Sequence, residues 1–340
     1  MEKKDRYNPA VDVIRVIAIL AVIAIHTSTR ILETSKFDIQ GFTLTFFINQ
    51  ATRFAVPLFF MISGFVLELN YSFHQNYLTY LQKRFTRIFL PYLFWSFLYF
   101  FFVHTQHNIS FFQTLLTGKA SYQLYFIPTL LILYITFPFI HMIYRFIANK
   151  FVLIVLGIIQ LSLLAYTYYI KPLPFFYPLN IALLNFYIFI LGMVASHHKR
   201  ILEKIGRWKI LFGILFVVLA GIIFFEGRIF YLNTHNHLYF YNQWRPSTLI
   251  YSIVVGCLLY AFFNKKTNAK IIKMLSRLSF FVFFVHIIVL EYFWSLVGKN
   301  IFSNMNDALL NLLFFFCVTV ISYGVAYLAH KIPYLPKLSG

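Results

Sequence analysis

The chain has 340 residues, 60% of them hydrophobic and only 11% charged, with a mean hydropathy of +0.74. That composition excludes a soluble domain, which could not bury so much apolar surface. The formal net charge of +19 does not indicate nucleic-acid binding, because the cations sit in short loops beside apolar runs, facing anionic lipid rather than covering one soluble face.

Apolar runs of about 20 residues, each long enough to cross a bilayer as a helix, recur along the chain. They predict an all-α polytopic membrane helix bundle of about ten spans. These are Val11–Thr27, one within Phe42–Leu69, Phe85–Val103, Tyr122–Ile140, Phe151–Ile170, Phe175–Ala195, Ile210–Phe225, Ser247–Phe263, Leu278–Val297 and Ala308–Ala329. With the N-terminus inside, 20 of the 29 Lys and Arg fall in inner tails and loops and seven outside; Arg15 and Arg53 lie within or beside spans. This bias places both termini in the cytoplasm. The first span lacks a small-residue cleavage site and is expected to be retained. No linker, repeat or low-complexity segment divides the chain, so residues 1–340 are expected to form one membrane domain, with no fused soluble extracytoplasmic domain.

The first span carries the most informative residues. Asp12 and Arg15 open it, ten apolar residues follow, and then comes His26. Eleven residues make about three helical turns, so Arg15 and His26 share a face, roughly 16 Å apart along the axis. Ionisable groups within a hydrocarbon-spanning helix are costly and mark functional sites. The competing reading is a local Asp12–Arg15 ion pair at the helix entrance and a structurally hydrogen-bonded His26.

The second region exceeds a span, and Asn49, Gln50 and Arg53 in its front half suggest an interfacial or tilted segment. Ser63 and Gly64 beyond it permit close helix approach, and Glu68 follows at its end. In the third span Arg84 and Arg87 share a face. They serve either as positive-inside charge or as a phosphate clamp, since Arg holds phosphate bidentately. Pro91 favours a kink beside a cavity.

The loop Arg228–Pro246 interleaves Tyr239, Tyr241 and Trp244 with amides. Such a loop suits sugar rings, or serves as an interfacial aromatic belt. His286 and Glu291 lie in the ninth span. Cys257 and Cys317 support no disulfide framework, and no His, Cys or Asp cluster has metal-ligand spacing, so no metal is expected.

In this order, several motifs make the chain resemble the acyltransferase 3 family of bacterial integral membrane O-acyltransferases. They are Asp12 and Arg15 with His26; Val56-Pro57-Leu58-Phe59-Phe60-Met61-Ile62-Ser63-Gly64-Phe65; Arg84-Phe85-Thr86-Arg87-Ile88-Phe89-Leu90-Pro91-Tyr92; and Tyr125-Phe126-Ile127-Pro128 with Tyr134 and Pro138. A Ser-Phe pair followed by His, at Ser279 to His286, matches a further family motif. The family's usual Tyr before this His region is absent, replaced by Phe283-Phe284-Val285.

The resemblance implies a multi-pass plasma-membrane enzyme of a bacterial cell envelope. It would move an acyl group, acetyl by family frequency, from cytoplasmic acyl-CoA to a hydroxyl of a surface glycan or lipid-linked sugar. It implies Arg15, Arg84 and Arg87 as ligands for the CoA phosphates. His26 would be general base or acyl carrier, with His286 as a second catalytic candidate. The acceptor is met directly or through a separate hand-off protein. A polysaccharide exporter or flippase of the same architecture is the alternative.

The charge bias yields a direct test of orientation. Cysteines replacing Lys36 or Asn236 are expected to label from outside, and those replacing Lys204 or Lys270 only from inside. The reverse pattern excludes cytoplasmic termini.

Overall fold

In a computed structural model, residues 8–34, 44–71, 76–104, 109–234, 241–263, 270–298 and 307–332 are described. In chain order the main helices are α1 (Pro9–Thr34), α2 (Leu44–Ala51), α3 (Ala55–Asn70), α4 (Tyr77–Val103), α5 (Phe111–Thr117), α6 (Phe126–Met142), α7 (Lys150–Tyr169), α8 (Tyr177–Leu184), α9 (Phe186–His197), α10 (Lys209–Thr234), α11 (Pro246–Phe263), α12 (Lys270–Phe293) and α13 (Asp307–Lys331). Among the described residues there is no strand. The protein is an all-α, polytopic membrane bundle. Its packing divides into two compact units, Met1–Phe59 with Lys199–Leu328, and Phe60–His198 with Ala329–Gly340.

Among the described residues eight helices are long and apolar enough to cross a membrane, and the pair α8 and α9, bent by 48°, is a ninth if it is taken as one span. The apolar helix α6 has only 17 residues, about 25 Å of rise and the lower limit for a span. Side-chain contacts in the second unit decide its role. Glu68 at the end of α3 touches both His141 at the end of α6 and His197 at the end of α9. The chain therefore returns to the same side of the bilayer at residues 68, 141 and 197. Since α4 crosses once between Glu68 and His141, α6 must cross back. The same parity requires the bent pair α8–α9 to reverse the crossing made by α7. Ten crossings result, as the hydropathy pattern predicts.

The first unit obeys the same parity. Asp12 meets Ser276, His26 meets His286 and Arg30 meets Glu291, so α1 and α12 run parallel. Parallel helices need an odd number of intervening crossings, and α2–α3 through α11 supply seven.

Several boundaries differ from the hydropathy reading. The first span extends to Glu33, the seventh runs Leu202–Asn233, and the ninth begins at Lys270. The third begins at Tyr77 rather than Phe85. Charge in Lys83-Arg84 and Arg87 ends a hydropathy window, but the backbone hydrogen-bond ladder continues through it. The polar front of the second region is packed inside the protein: Asn49 and Gln50 on α2 are fully buried, as is nearly all of Arg53 in the turn before α3.

Each unit leaves apolar side chains on its surface where lipid is the solvent. On α7, Phe151, Ile154, Val155, Ile158 and Ile159 are each more than half exposed. Their spacing makes one helical stripe, which in water would be an aggregation surface.

Within the second unit, α3 and α9 cross at glycines. A Cβ on Gly64 would lie 2.1 Å from the Phe189 carbonyl oxygen, and one on Gly192 would lie 1.9 Å from that of Met61. Small residues permit such backbone contact in lipid, where packing rather than the hydrophobic effect joins helices. Gly64→Val must therefore separate the two backbones. We expect a loss of at least about 1–3 kcal/mol of stability, read as a lowered melting midpoint of the purified protein in detergent. Ser63→Ala, at a partly buried neighbour, should leave the midpoint within error.

Candidate active site

The first unit gathers its polar side chains between α1, α2, α11 and α12. At the N-terminal end of α1, Ser276 Oγ donates to Asp12 Oδ1 at 2.6 Å and accepts from Arg15 Nη1 at 3.1 Å. Arg15 Nη1 also lies 3.7 Å from Asp12 Oδ1. The local ion pair foreseen at the helix entrance thus exists, with a serine from α12 set into it. Arg15 remains about one-third exposed.

Further along the same two helices the rings of His26 and His286 lie side by side, with centroids 5.4 Å apart and planes tilted by 37°. His26 is half-buried and His286 is completely buried. His286 Nδ1 sits 3.1 Å from the Val282 carbonyl, four residues back on its own helix. A carbonyl can only accept, so Nδ1 carries the proton in a neutral ring, leaving Nε2 as an acceptor. That Nε2 is buried and has no hydrogen-bond partner among the described residues. An unsatisfied buried nitrogen is the type of exception that accompanies function.

Beyond the histidines, Asn49 grips α1. Its Nδ2 reaches the Ile25 carbonyl at 3.3 Å, Ser28 Oγ at 2.9 Å and Thr29 Oγ1 at 2.9 Å. Its Oδ1 accepts from Gln50 Nε2 and from Arg53 Nη2. Arg53 Nη1 donates to the Tyr241 carbonyl at 2.6 Å, and its guanidinium lies over the Tyr241 ring. Gln50 Oε1 accepts from Arg245 Nη2 at 2.8 Å. Arg245, with 0% exposure, also meets Glu226 at 3.8 Å, and Glu226 in turn accepts from Ser247 Oγ. Burial holds the Tyr241 phenol above its usual range, with Glu33 adding to the effect.

The second unit contains two further polar groups. In α4 the ladder widens to a π-helical turn at Phe85–Phe89. The cause is local: Pro91 has no N–H to offer the Arg87 carbonyl, and Leu90 N–H instead bonds the Phe85 carbonyl, five residues back. π-Turns are frequent at functional sites. Arg84 enters this turn with its guanidinium over the rings of Tyr80 (5.2 Å) and Tyr134 (5.7 Å). Arg87 is exposed. The two arginines thus lie about two turns inside α4, not at its start.

Where α3, α6 and α9 end, the Glu68 carboxylate accepts from His141 Nδ1 at 3.0 Å and from His197 Nε2 at 2.7 Å. Tyr144 packs against His197, and burial with the neighbouring Glu68 charge pushes its phenol up to about 12. Among the described residues no group of three or more His, Cys, Asp or Glu is arranged to hold a metal.

Several sequence-predicted residues are therefore brought together: His26 with His286, and Asp12 with Arg15. Arg15 and the histidines belong to the first unit, while Arg84, Arg87, Pro91, Ser63, Gly64 and Glu68 belong to the second. Tyr241 braces Arg53, and Trp244 donates its backbone N–H to Asn242. Tyr239 lies outside the described residues. Sequence reasoning assigned no site role to Asn49, Gln50, Arg53 or Arg245. The available signal was a polar triplet within one apolar stretch and an arginine directly before Pro246.

A family model described as an acyltransferase domain matches residues 8–331. The chain belongs to that acyltransferase 3 family. Among curated relatives, a Staphylococcus aureus (strain MSSA476) protein named probable poly-beta-1,6-N-acetyl-D-glucosamine export protein is 24% identical over 292 residues, covering 82% of this chain and 81% of the relative. A Staphylococcus epidermidis protein of the same name is 25% identical over 304 residues, covering 82% and 80%. No solved structure matches.

Proposed function

We propose that the protein is a bacterial plasma-membrane O-acyltransferase that moves an acyl group, acetyl first, from cytoplasmic acyl-CoA to a hydroxyl of a cell-surface glycan or lipid-linked sugar. The observation that carries this reading is the His26–His286 pair with the open Nε2 of His286. Family membership supplies the reaction class.

Two chemistries fit His26. As a general base it accepts the proton of an acceptor hydroxyl while that oxygen attacks the thioester carbonyl; the C–S bond breaks and the CoA thiolate leaves with a proton. As an acyl carrier its ring nitrogen attacks the thioester carbonyl, the C–S bond breaks and CoA leaves as the thiol; the acceptor hydroxyl oxygen then takes the acyl group, the C–N bond breaks and the hydroxyl proton passes to the freed imidazole. His286 holds one ring proton on a backbone carbonyl, which leaves its other nitrogen an acceptor beside the neighbouring imidazole. Arg84 and Arg87 are the proposed phosphate ligands of the donor, and Arg15 is a third, tempered by Asp12. The π-turn supports the Arg84 and Arg87 assignment because such turns are frequent at functional sites and the two arginines stand beside and within it. Tyr239, Tyr241 and Trp244 remain the proposed acceptor contacts of the α10–α11 connection.

The relatives' name favours a second reading, export of a polymer of N-acetylglucosamine. The deciding experiment is purified protein in lipid with labelled acyl-CoAs and glycans, including that polymer. Label appearing in the glycan supports transfer. Passage of unmodified polymer with no label incorporated supports export.

His26→Gln keeps volume and hydrogen bonding but cannot carry a proton or an acyl group. Transfer is expected to fall by about 10²–10⁴-fold while expression and acyl-CoA binding persist. Near-normal transfer would remove His26 from the mechanism. For the donor site, Arg84→Lys and Arg87→Lys preserve charge but not bidentate geometry. Weaker acyl-CoA binding with normal insertion is expected; unchanged binding in both variants would leave these residues a topological role only.

A further inference from the structure

Arg30 and Glu291 occupy the next level along the two helices that carry the histidines. Arg30 follows His26 by four residues and Glu291 follows His286 by five, roughly 6 and 7.5 Å of helical rise. Arg30 Nη2 and Glu291 Oε2 are 3.1 Å apart. The guanidinium lies 5.4 Å from the centroid of the Trp294 ring.

Exposure separates this pair from the arginines of the network around Asn49 and Gln50. Arg245 is sealed and Arg53 nearly so, and both serve packing. Arg30 and Glu291 keep 31% and 25% of their side-chain surface open. Trp294 is only 8% exposed, so its indole fixes the guanidinium rather than offering a free face to a ligand. The result is a held but accessible surface that is donor on one half and acceptor on the other.

We propose that Arg30 and Glu291, braced by Trp294, form the acceptor subsite and bind adjacent hydroxyls of one neutral sugar ring. The proposal rests on the acyl-transfer reading. The charge pattern selects the ligand class. An anionic group facing Arg30 would also face the Glu291 carboxylate, and a cationic group would meet Arg30. A neutral diol satisfies both, because one hydroxyl accepts from the guanidinium while the next donates to the carboxylate. Arg30 stands about one helical turn beyond His26 on α1, so binding and chemistry would occupy successive turns of the same helix pair.

The bland alternative is that the pair merely ties α1 to α12. Three variants separate the two: Arg30→Gln, Glu291→Gln, and the charge-swapped double variant Arg30→Glu with Glu291→Arg. The swap keeps an ion pair between the helices but exchanges donor and acceptor positions and removes the cation from Trp294. Each is measured in lipid for labelled acyl transfer to a neutral N-acetylhexosamine oligosaccharide, for acyl-CoA hydrolysis without acceptor, and for direct binding of that oligosaccharide and of a sulfated one of equal length.

The wild type is expected to bind the neutral oligosaccharide in preference to the sulfated one. In both single variants, acceptor KM and oligosaccharide Kd should rise by about tenfold, the loss of one charge-assisted hydrogen bond. Acyl-CoA hydrolysis should be unchanged, and the swap should remain as impaired as the singles. Recovery of acceptor KM in the swap, a parallel fall in hydrolysis, or equal binding of the sulfated oligosaccharide would overturn the subsite. A wild type that binds the neutral oligosaccharide through Arg30 and Glu291 yet never transfers label would overturn the acyl-transfer reading instead.

Discussion

Arg245 has a guanidinium with no exposed surface in a chain whose solvent is hydrocarbon, and the far end of the first unit is organised around satisfying it together with Arg53. An unpaired ion there would cost several kcal/mol. Gln50 and Glu226 answer Arg245, while Asn49 and the Tyr241 carbonyl answer Arg53. Because Gln50 Nε2 also donates to Asn49 Oδ1, the two arginines form one network. Asn49 then passes its constraint to α1 at Ile25, Ser28 and Thr29, on either side of His26. The turn carrying the proposed catalytic ring is therefore fixed by polar contacts, in an environment where apolar packing alone is weakly directional.

The helix pair α1–α12 is held by charged contacts at two levels, with a packed apolar stretch and the two histidines between them. Asp12, Arg15 and Ser276 close one end, and Arg30 with Glu291 closes the other. Between them the two imidazoles face each other. Contacts at other levels of the two helices thus keep the rings in register. His286 Nδ1 is committed to its own helix, which orients the ring and sets the tautomer. The pair therefore separates the work of alignment from the work of proton or acyl transfer.

The spans were legible because apolar runs of this length have one physical reading. His26 and His286 were legible for the same reason, as ionisable groups inside those runs. Asn49, Gln50 and Arg53 were not. Polar residues near the end of an apolar run fit an interfacial segment as well as a buried network, and only partners about 20 to nearly 200 residues away in sequence distinguish the two. Lys83, Arg84 and Arg87 misplaced a helix start because hydropathy weighs their charge and not the backbone ladder beneath them. Gly64 could be read as a small residue, but its reciprocal partner Gly192 could not be identified from either local sequence.

Glu68 shows why such long-range partners are required rather than incidental. Its carboxylate lies where α3, α6 and α9 all end, so three sets of terminal carbonyls converge around a negative charge. That placement is unfavourable for a carboxylate and favourable for cations and N–H donors. His141 and His197, each in the last turn of its helix, supply the donors. The imidazoles complement both the helix ends and the carboxylate, and Tyr144 closes over them. The same contacts that satisfy one buried carboxylate bring three helix ends to one face of the bilayer. In this chain, satisfying a buried carboxylate and bringing three helix ends to one side of the membrane are the same structural requirement.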